Sequence, residues 1–285
     1  MLAATLMAVS ENPLSHADSI RAWQKHREEG LRSETGWLSL VGLFWLKPGD
    51  NTIGSAGSND FVLPKKSAPA AAGKFHFDGS TVTFVDAAGA SKTLSTDEEA
   101  PATAKIGTVS LFLIKRGDRY AIRAKDSYSP VLVNFKGMKY FPINEAMNFE
   151  AKFVPDAKKI PILNILGQTD TEESPGMVEF TVKDKPYHLR ALYEDTASGK
   201  TLYFLFKDTT NKSHTYQAGR MLNVPLPDES GVVHLDFNRA YNPPCTFTPY
   251  ATCPLPPAEN RLPFAVEAGE LRYGKGHPES PGDTD

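Results

Sequence analysis

Seven prolines crowd residues 235–270, LDFNRAYNPPCTFTPYATCPLPPAENRLPFAVEAGE. Proline fixes φ and removes a backbone donor, so over most of its length this stretch can be neither an ordinary helix nor a central strand. The chain must run extended or turned there. Phe237, Tyr241, Phe247, Tyr250, Leu255, Leu262, Phe264 and Val266 are interleaved with the prolines. Large apolar faces anchor a segment to a scaffold, where a disordered linker has none. The segment therefore reads as a stiff, ordered cover strapped over a β-structure, and rigid loops that present polar side chains often carry function.

The scaffold beneath the cover is legible as hairpins. Residues 74–84, KFHFDGSTVTF, alternate apolar and polar on both sides of Asp78-Gly79, and residues 109–115 and 119–124 flank Gly117-Asp118. Each pattern predicts two strands joined by a tight turn. Further strand candidates follow at 147–154, 160–166, 177–182, 187–193, 201–206 and 232–237, a spacing typical of an antiparallel sandwich or barrel. No βαβ alternation occurs, which disfavours a parallel sheet. Ahead of the strands, Ser15 and Asp18 form a capping-box pattern that opens one helix with Ile20, Trp23, Arg27 and Leu31 on its docking face and Gly30 near its end. Residues 36–49 hold two tryptophans, Phe44 and four leucines, and so dense an aromatic cluster reads as packing rather than as a platform for a cofactor.

Residues 52–64, TIGSAGSNDFVLP, resemble the opening of a forkhead-associated domain, which implies a small β-sandwich. Ser55 stands where that family has its phosphate-binding arginine, and no Ser-x-x-His follows, so phosphothreonine binding is not expected. The acidic, proline-bearing residues 95–104 mark the best boundary. The expected organisation is a tail or signal remnant at 1–14, the helix and an FHA-like sandwich at 15–103, a larger antiparallel β-barrel or sandwich with its proline-rich cover at 104–276, and a disordered tail at 277–285.

A net charge of −3 and a pI near 6.2 supply no basic face for nucleic acid. The longest apolar run, 37–46, is too short to span a bilayer, so no membrane insertion is expected. Two cysteines rule out a disulfide scaffold. Cys245 and Cys253 share one short loop, where they form either a disulfide or two buried thiols.

Three constellations could carry chemistry. His234 and Asp236 lie on one face of a strand, and an iron site would need a second histidine from His188, His214 or His277; a hydrogen-bonded surface histidine is the plainer reading. A thiol hydrolase would use Cys245 as nucleophile, His234 or His214 as base, and Asp236 or Asn238 as orienter. No Gly-x-Ser-x-Gly elbow and no phosphate-cradling Gly-x-x-x-x-Gly-Lys loop is present. The third group is polar and cationic: Arg220, Asn238, Arg239, Tyr241, Asn242 and Arg261, with Asn260, Glu267 and Glu270 nearby. Arginine forks bind carboxylates and phosphates, although the same arginines could lock the cover to its own carbonyls and glutamates.

Residues 36–54, GWLSLVGLFWLKPGDNTIG, together with the proline-rich stretch, RGDRYAIRAKD at 116–126, YFPIN at 140–144 and TYQAGRML at 215–222, resemble the prokaryotic domain-of-unknown-function family 1684. The resemblance implies no activity, cofactor or catalytic residue. It implies an extracytoplasmic, periplasmic setting, because members carry export signals, and with it a disulfide between Cys245 and Cys253. The leading expectation is a small anionic or polar ligand held in the C-terminal β domain, with no cofactor and no metal; a Cys/His/Asp hydrolase and a purely structural module are the alternatives.

Overall fold

The structure, a computed structural model, describes residues 14–96, 103–196 and 199–274. The expected signal remnant and C-terminal tail lie outside the described residues, apart from Leu14. Helix α1 (His16–Arg32) begins at the capping pattern: Ser15 Oγ accepts the Asp18 N–H at 3.1 Å, and Asp18 sits in the first turn. Ile20 and Leu31 are buried, and Trp23 and Arg27 are half-buried on the same face. One α-helical stripe thus docks this helix on the β body.

A 3-10 turn at Trp37–Ser39 leads into β1 (Leu40–Trp45), β2 (Gly49–Gly54), β3 (Phe61–Val62), β4 (Gly73–Phe77), β5 (Val82–Asp86), β6 (Ser91–Leu94), β7 (Ala104–Ile106), β8 (Val109–Arg116) and β9 (Arg119–Asp126). These strands form two sheets, ordered β1-β9-β8-β7 and β3-β2-β4-β5-β6. Both hairpins read from the sequence form: Phe77 pairs with Val82 across Asp78-Gly79, and Arg116 with Arg119 across Gly117-Asp118. One buried cluster takes in Ile53, Phe75 and Phe84 from one sheet and Val109, Leu111 and Ile122 from the other. The 103/104 boundary expected from composition therefore falls within a single shared core. A polar stretch with a proline ends a strand, but it carries no information on which sheet the next strand joins.

After the short helix α2 (Pro130–Val133) come β10 (Asn148–Leu163), β11 (Thr169–Val182), β12 (Lys185–Thr196), β13 (Gly199–Phe206), β14 (Arg220–Val224) and β15 (Val232–Asp236). They build one antiparallel sheet, β14-β13-β12-β11-β10-β15, curved into a half-barrel. The strands expected at 147–154 and 160–166 are a single strand, β10, that runs through Pro155 and Pro161. It tolerates both because β15 pairs only with Asn148 to Lys152, which leaves the proline-bearing half with one open edge. The β10–β11 register shifts between Pro155 and Lys158, opposite Gly176, where a Cβ would stand 2.2 Å from the Val154 carbonyl. β14 had no signal of its own, since Arg220 and Asn223 interrupt its five residues.

Residues 237–270 cross this sheet through three 3-10 turns, Phe237–Arg239, Pro244–Thr246 and Ala258–Asn260. Isolated bridges tie Tyr241 to Met221, Pro254 to Asn164, Arg261 to Lys207 and Glu270 to Tyr140. Phe237, Leu262, Val266 and Ala268 are buried with Val178, Leu189, Phe204 and Leu222 of the sheet. Phe237 sits among Phe149, Phe180 and Phe206 at centroid distances of 5.9, 5.9 and 5.3 Å. Tyr250, expected as an anchor, is instead exposed. Among the described residues no helix is long and apolar enough to cross a membrane.

Candidate functional site

One face of the half-barrel sheet packs on the Phe237 core; the other is exposed at Glu150, Glu179, His188 and His234 and apolar further along. Cross-strand partners share a face, so the pairs Leu192 with Tyr203, Tyr203 with Asn223 and Leu205 with Met221 place these side chains together, away from the Phe237 core. Ile160, Ile162, Leu192, Leu205 and Met221 form a second buried cluster there, with Tyr203 and Tyr241 against it. Where this apolar patch gives way to polar residues, a cleft of about 760 Å³ opens. Helix α1 contributes Trp23 and Arg27, and the 3-10 turn before β1 contributes Trp37. The β8–β9 hairpin supplies Lys115, Arg116 and Arg123, and the sheet supplies Asp170, Glu172, Glu194, Tyr203 and Asn223. Arg239, Tyr241, Asn242 and Cys253 come from the cover.

A chain of hydrogen bonds crosses the polar part. Tyr241 Oη donates to Asn223 Oδ1 at 2.6 Å, and Asn223 Nδ2 donates in turn to Glu194 Oε2 and, at 3.3 Å, to Thr201 Oγ1. Burial raises the Tyr241 hydroxyl above its ordinary range, as it does that of Tyr203, where the neighbouring Tyr241 and Glu194 add to the effect. Both phenols stay protonated at neutral pH, and Tyr241 is the donor to Asn223. Arg27 lies over the Tyr241 ring at 4.7 Å, with Nε on Glu270 Oε1 at 3.0 Å and Nη2 on the Asn242 carbonyl at 3.1 Å. Fully buried Glu270 also accepts the Asn242 backbone N–H at 2.7 Å and its Nδ2 at 2.9 Å, and Nδ2 donates again to Leu271 O at 2.8 Å. Asn242 Oδ1 is buried without a partner.

The cleft's edges are charged unequally. Desolvation, then the charge of Asp170, raises the Glu172 carboxyl above its usual range. On β9, outside the lining, burial, with Arg123 adding to it, pushes the Lys125 ammonium down to about 8. Arg123 lies over the Trp37 ring at 5.1 Å. Trp37 packs against the buried cluster of Tyr216, Cys245 and Cys253 and faces the cleft as well.

Three of the six ligand-binding candidates, Arg239, Tyr241 and Asn242, line the cleft. The other three do not. Arg220 is buried and spent internally: it pairs with Asp208 at 2.8 Å, donates to the carbonyls of Val266 and Ala268, and stacks on Phe206. Asn238 bonds both the N–H and the carbonyl of Asn144 and accompanies Asp236. Arg261 is exposed beside the Lys207 bridge. A buried polar group in a proline-rich segment is as readily spent on the carbonyls around it as on a ligand, and sequence alone carries no distinction between the two.

The hydrolase candidates are not brought together. His234 is exposed on β15 opposite Glu150. Asp236 accepts from Asn238 and meets His16 Nε2 at 2.9 Å, a partner from the other end of the chain. His214 bonds Ser213 Oγ and packs on Phe141. Cys245 lies with Tyr216, Ala251 and Cys253 in a buried cluster. Among the described residues no three metal-ligating side chains gather.

Cys245 and Cys253 are both free, in place of the disulfide that the family resemblance implied. Burial holds the Cys253 thiol well above its ordinary range, and its Sγ accepts the Cys245 backbone N–H at 3.1 Å. Two thiols are expected to react with a chromogenic disulfide reagent in denaturant without reductant, and neither quickly in the native protein, because both sulfurs are buried. Zero thiols in the denatured, unreduced chain would show a disulfide instead.

Arg27, Glu194 and Asn223 were not among the site candidates, and Glu270 was named only as a neighbour of the cationic group. The one signal was Arg27, a charge on the apolar docking face of α1. Asn223 and Glu194 sit on strands where polar residues ordinarily mark solvent.

Residues 133–271 match the family model described as Protein of unknown function (DUF1684), the family that the sequence motifs resemble. The matched region holds the half-barrel and its cover. No curated protein matches the chain. Among solved structures, the solution NMR structure of an uncharacterized protein from Haloarcula marismortui is similar at 26% identity and a TM-score of 0.39, over 49% of this chain and 78% of that one.

Proposed function

We propose that the protein binds a small anionic or polar molecule in the cleft between the β8–β9 hairpin, α1 and the covered half-barrel. The observation that carries this reading is the charge of the lining: Arg27, Lys115, Arg116, Arg123 and Arg239 against Asp170, Glu172 and Glu194. Five cations to three carboxylates reverse the sign of the whole chain, whose net charge is −3. A volume near 760 Å³ is in the range of pockets that enclose small ligands. Planar guanidinium forks recognise carboxylates or phosphates in two-point fashion, and the Tyr241 ring beneath Arg27 restricts how that fork can turn.

Arg239 is the residue on which the reading can be tested with least disturbance. Its side chain is 35% exposed and its contacts are modest, Ser19 Oγ at 3.2 Å and Asp236 Oδ2 at 3.5 Å. Arg239→Ala should leave stability within about 1 kcal/mol. In calorimetric titrations of the full chain with short carboxylates and phosphate esters, at least one is expected to saturate, and R239A should weaken it by about tenfold, roughly 1.4 kcal/mol. Failure of every anion to bind at millimolar concentration, or equal affinity in R239A, would refute the proposal.

A further inference from the structure

We infer that the ligand of this cleft is zwitterionic, an amine–carboxylate such as an amino acid or short peptide; the inference rests on the cleft being a ligand site, as proposed above. The charges are sorted by element. The three lining carboxylates come from adjacent strands, Asp170 and Glu172 on β11 and Glu194 on β12, whereas every lining cation comes from α1, the β8–β9 hairpin or the turn at Phe237–Arg239. A purely anionic ligand meets the carboxylates, and a purely cationic one meets the arginines. A molecule with one charge of each sign can satisfy both sets.

Two acceptors lack donors. Asn242, on the cleft lining, is fully buried, and its Nδ2 is occupied by Glu270 and Leu271. Its Oδ1 has no partner. A buried acceptor is costly to leave unsatisfied, so a donor is expected to fill this position in the functional state. At Glu194 the Asn223 amide donates to Oε2, and no described residue donates to Oε1. An ammonium carries three donors and no acceptor, so it can pair with either of these acceptors. The Tyr241 phenol cannot serve there, because its proton is given to Asn223. Carboxylate recognition then falls to Arg239, with Arg27 adding charge from a guanidinium whose Nε and Nη2 are held by Glu270 and the Asn242 carbonyl.

The test is a calorimetric comparison on the full chain. Straight-chain ω-amino acids from β-alanine to 6-aminohexanoate and a set of dipeptides are titrated beside their N-acetylated forms, the matching alkanoates and the matching alkylamines. At least one amine–carboxylate is expected to bind, with N-acetylation weakening it tenfold or more. Glu194→Gln should remove most of that difference while the N-acetyl form is unaffected, and its melting temperature reports whether the variant is folded. Because the acetylation comparison uses the unaltered chain, it decides the matter even if E194Q does not fold. Equal affinity for acetylated and free forms overturns the zwitterion and leaves the anion site standing. Equal affinity for amines without a carboxylate, or no binding by any member, overturns both.

Discussion

Arg220→Ala is expected to destabilise the protein by about 3–5 kcal/mol, the cost of breaking a buried ion pair from one side. Arg220 and Asp208 both have fully buried side chains, and their atoms meet at 2.8 Å. The guanidinium also satisfies the Val266 and Ala268 carbonyls, so it pins the last part of the cover to the edge strand β14. Asp208 is committed as well: its Oδ1 accepts the N–H of Thr210 at 2.8 Å and of Val266 at 3.2 Å. Removing the arginine therefore strands a carboxylate that cannot swing to water. Equilibrium urea denaturation measures the loss, and a change below about 1 kcal/mol would mean that water reaches Asp208. Arg220→Lys should fall between, since it keeps the charge but cannot reproduce the planar fork. Because Arg220 lies outside the cleft, any folded fraction should bind ligand with unaltered affinity.

Asn260→Ala carries the second large effect, about 3 kcal/mol or more. Asn260 is nearly fully buried, and its amide stitches the cover to two neighbouring strands. Nδ2 donates to Arg190 O at 2.9 Å and to Leu205 O at 2.8 Å, while Oδ1 accepts the Arg190 N–H at 2.7 Å. β12 and β13 part locally at this point, and the side chain replaces the ladder bonds they do not make to each other. Each buried backbone group left unsatisfied costs about 1–3 kcal/mol. Asn260→Asp should be worse than alanine, because it sets a charge against two carbonyls. Hydrogen exchange at the Arg190 amide offers a local readout: protection there should collapse in N260A while Phe75 and Ile122 of the sandwich keep theirs. Retained protection at Arg190 would show that the strands close on one another without the asparagine.

Much of the frame is legible in the sequence. The Ser15–Asp18 cap, the turns at Asp78-Gly79 and Gly117-Asp118, and the alternation of the middle strands all act over a few residues, so pattern alone locates them. Pro155 and Pro161 misled, because their effect depends on whether a neighbouring strand is present, and β15 stops short of them. Of the candidate residues, Tyr241, Asn242 and Arg239, which cluster beside prolines that exclude regular structure, reach the cleft. Arg220 was drawn into the same group by its type, and its buried partner Asp208 removes it.

The cleft itself belongs to tertiary structure alone. Arg27 and Glu270 stand 243 positions apart, and their meeting depends on α1 docking across the cover at Tyr241. Local sequence determined that residues 237–270 would be stiff and turned, because proline restricts the backbone wherever it occurs. Which polar groups that stiffness presents to the cleft, and which it buries against its own carbonyls, was decided only by the packing of α1 and the β8–β9 hairpin. Hydrogen-bond satisfaction depends on what arrives from distant parts of the chain, and no window of neighbouring residues contains that information.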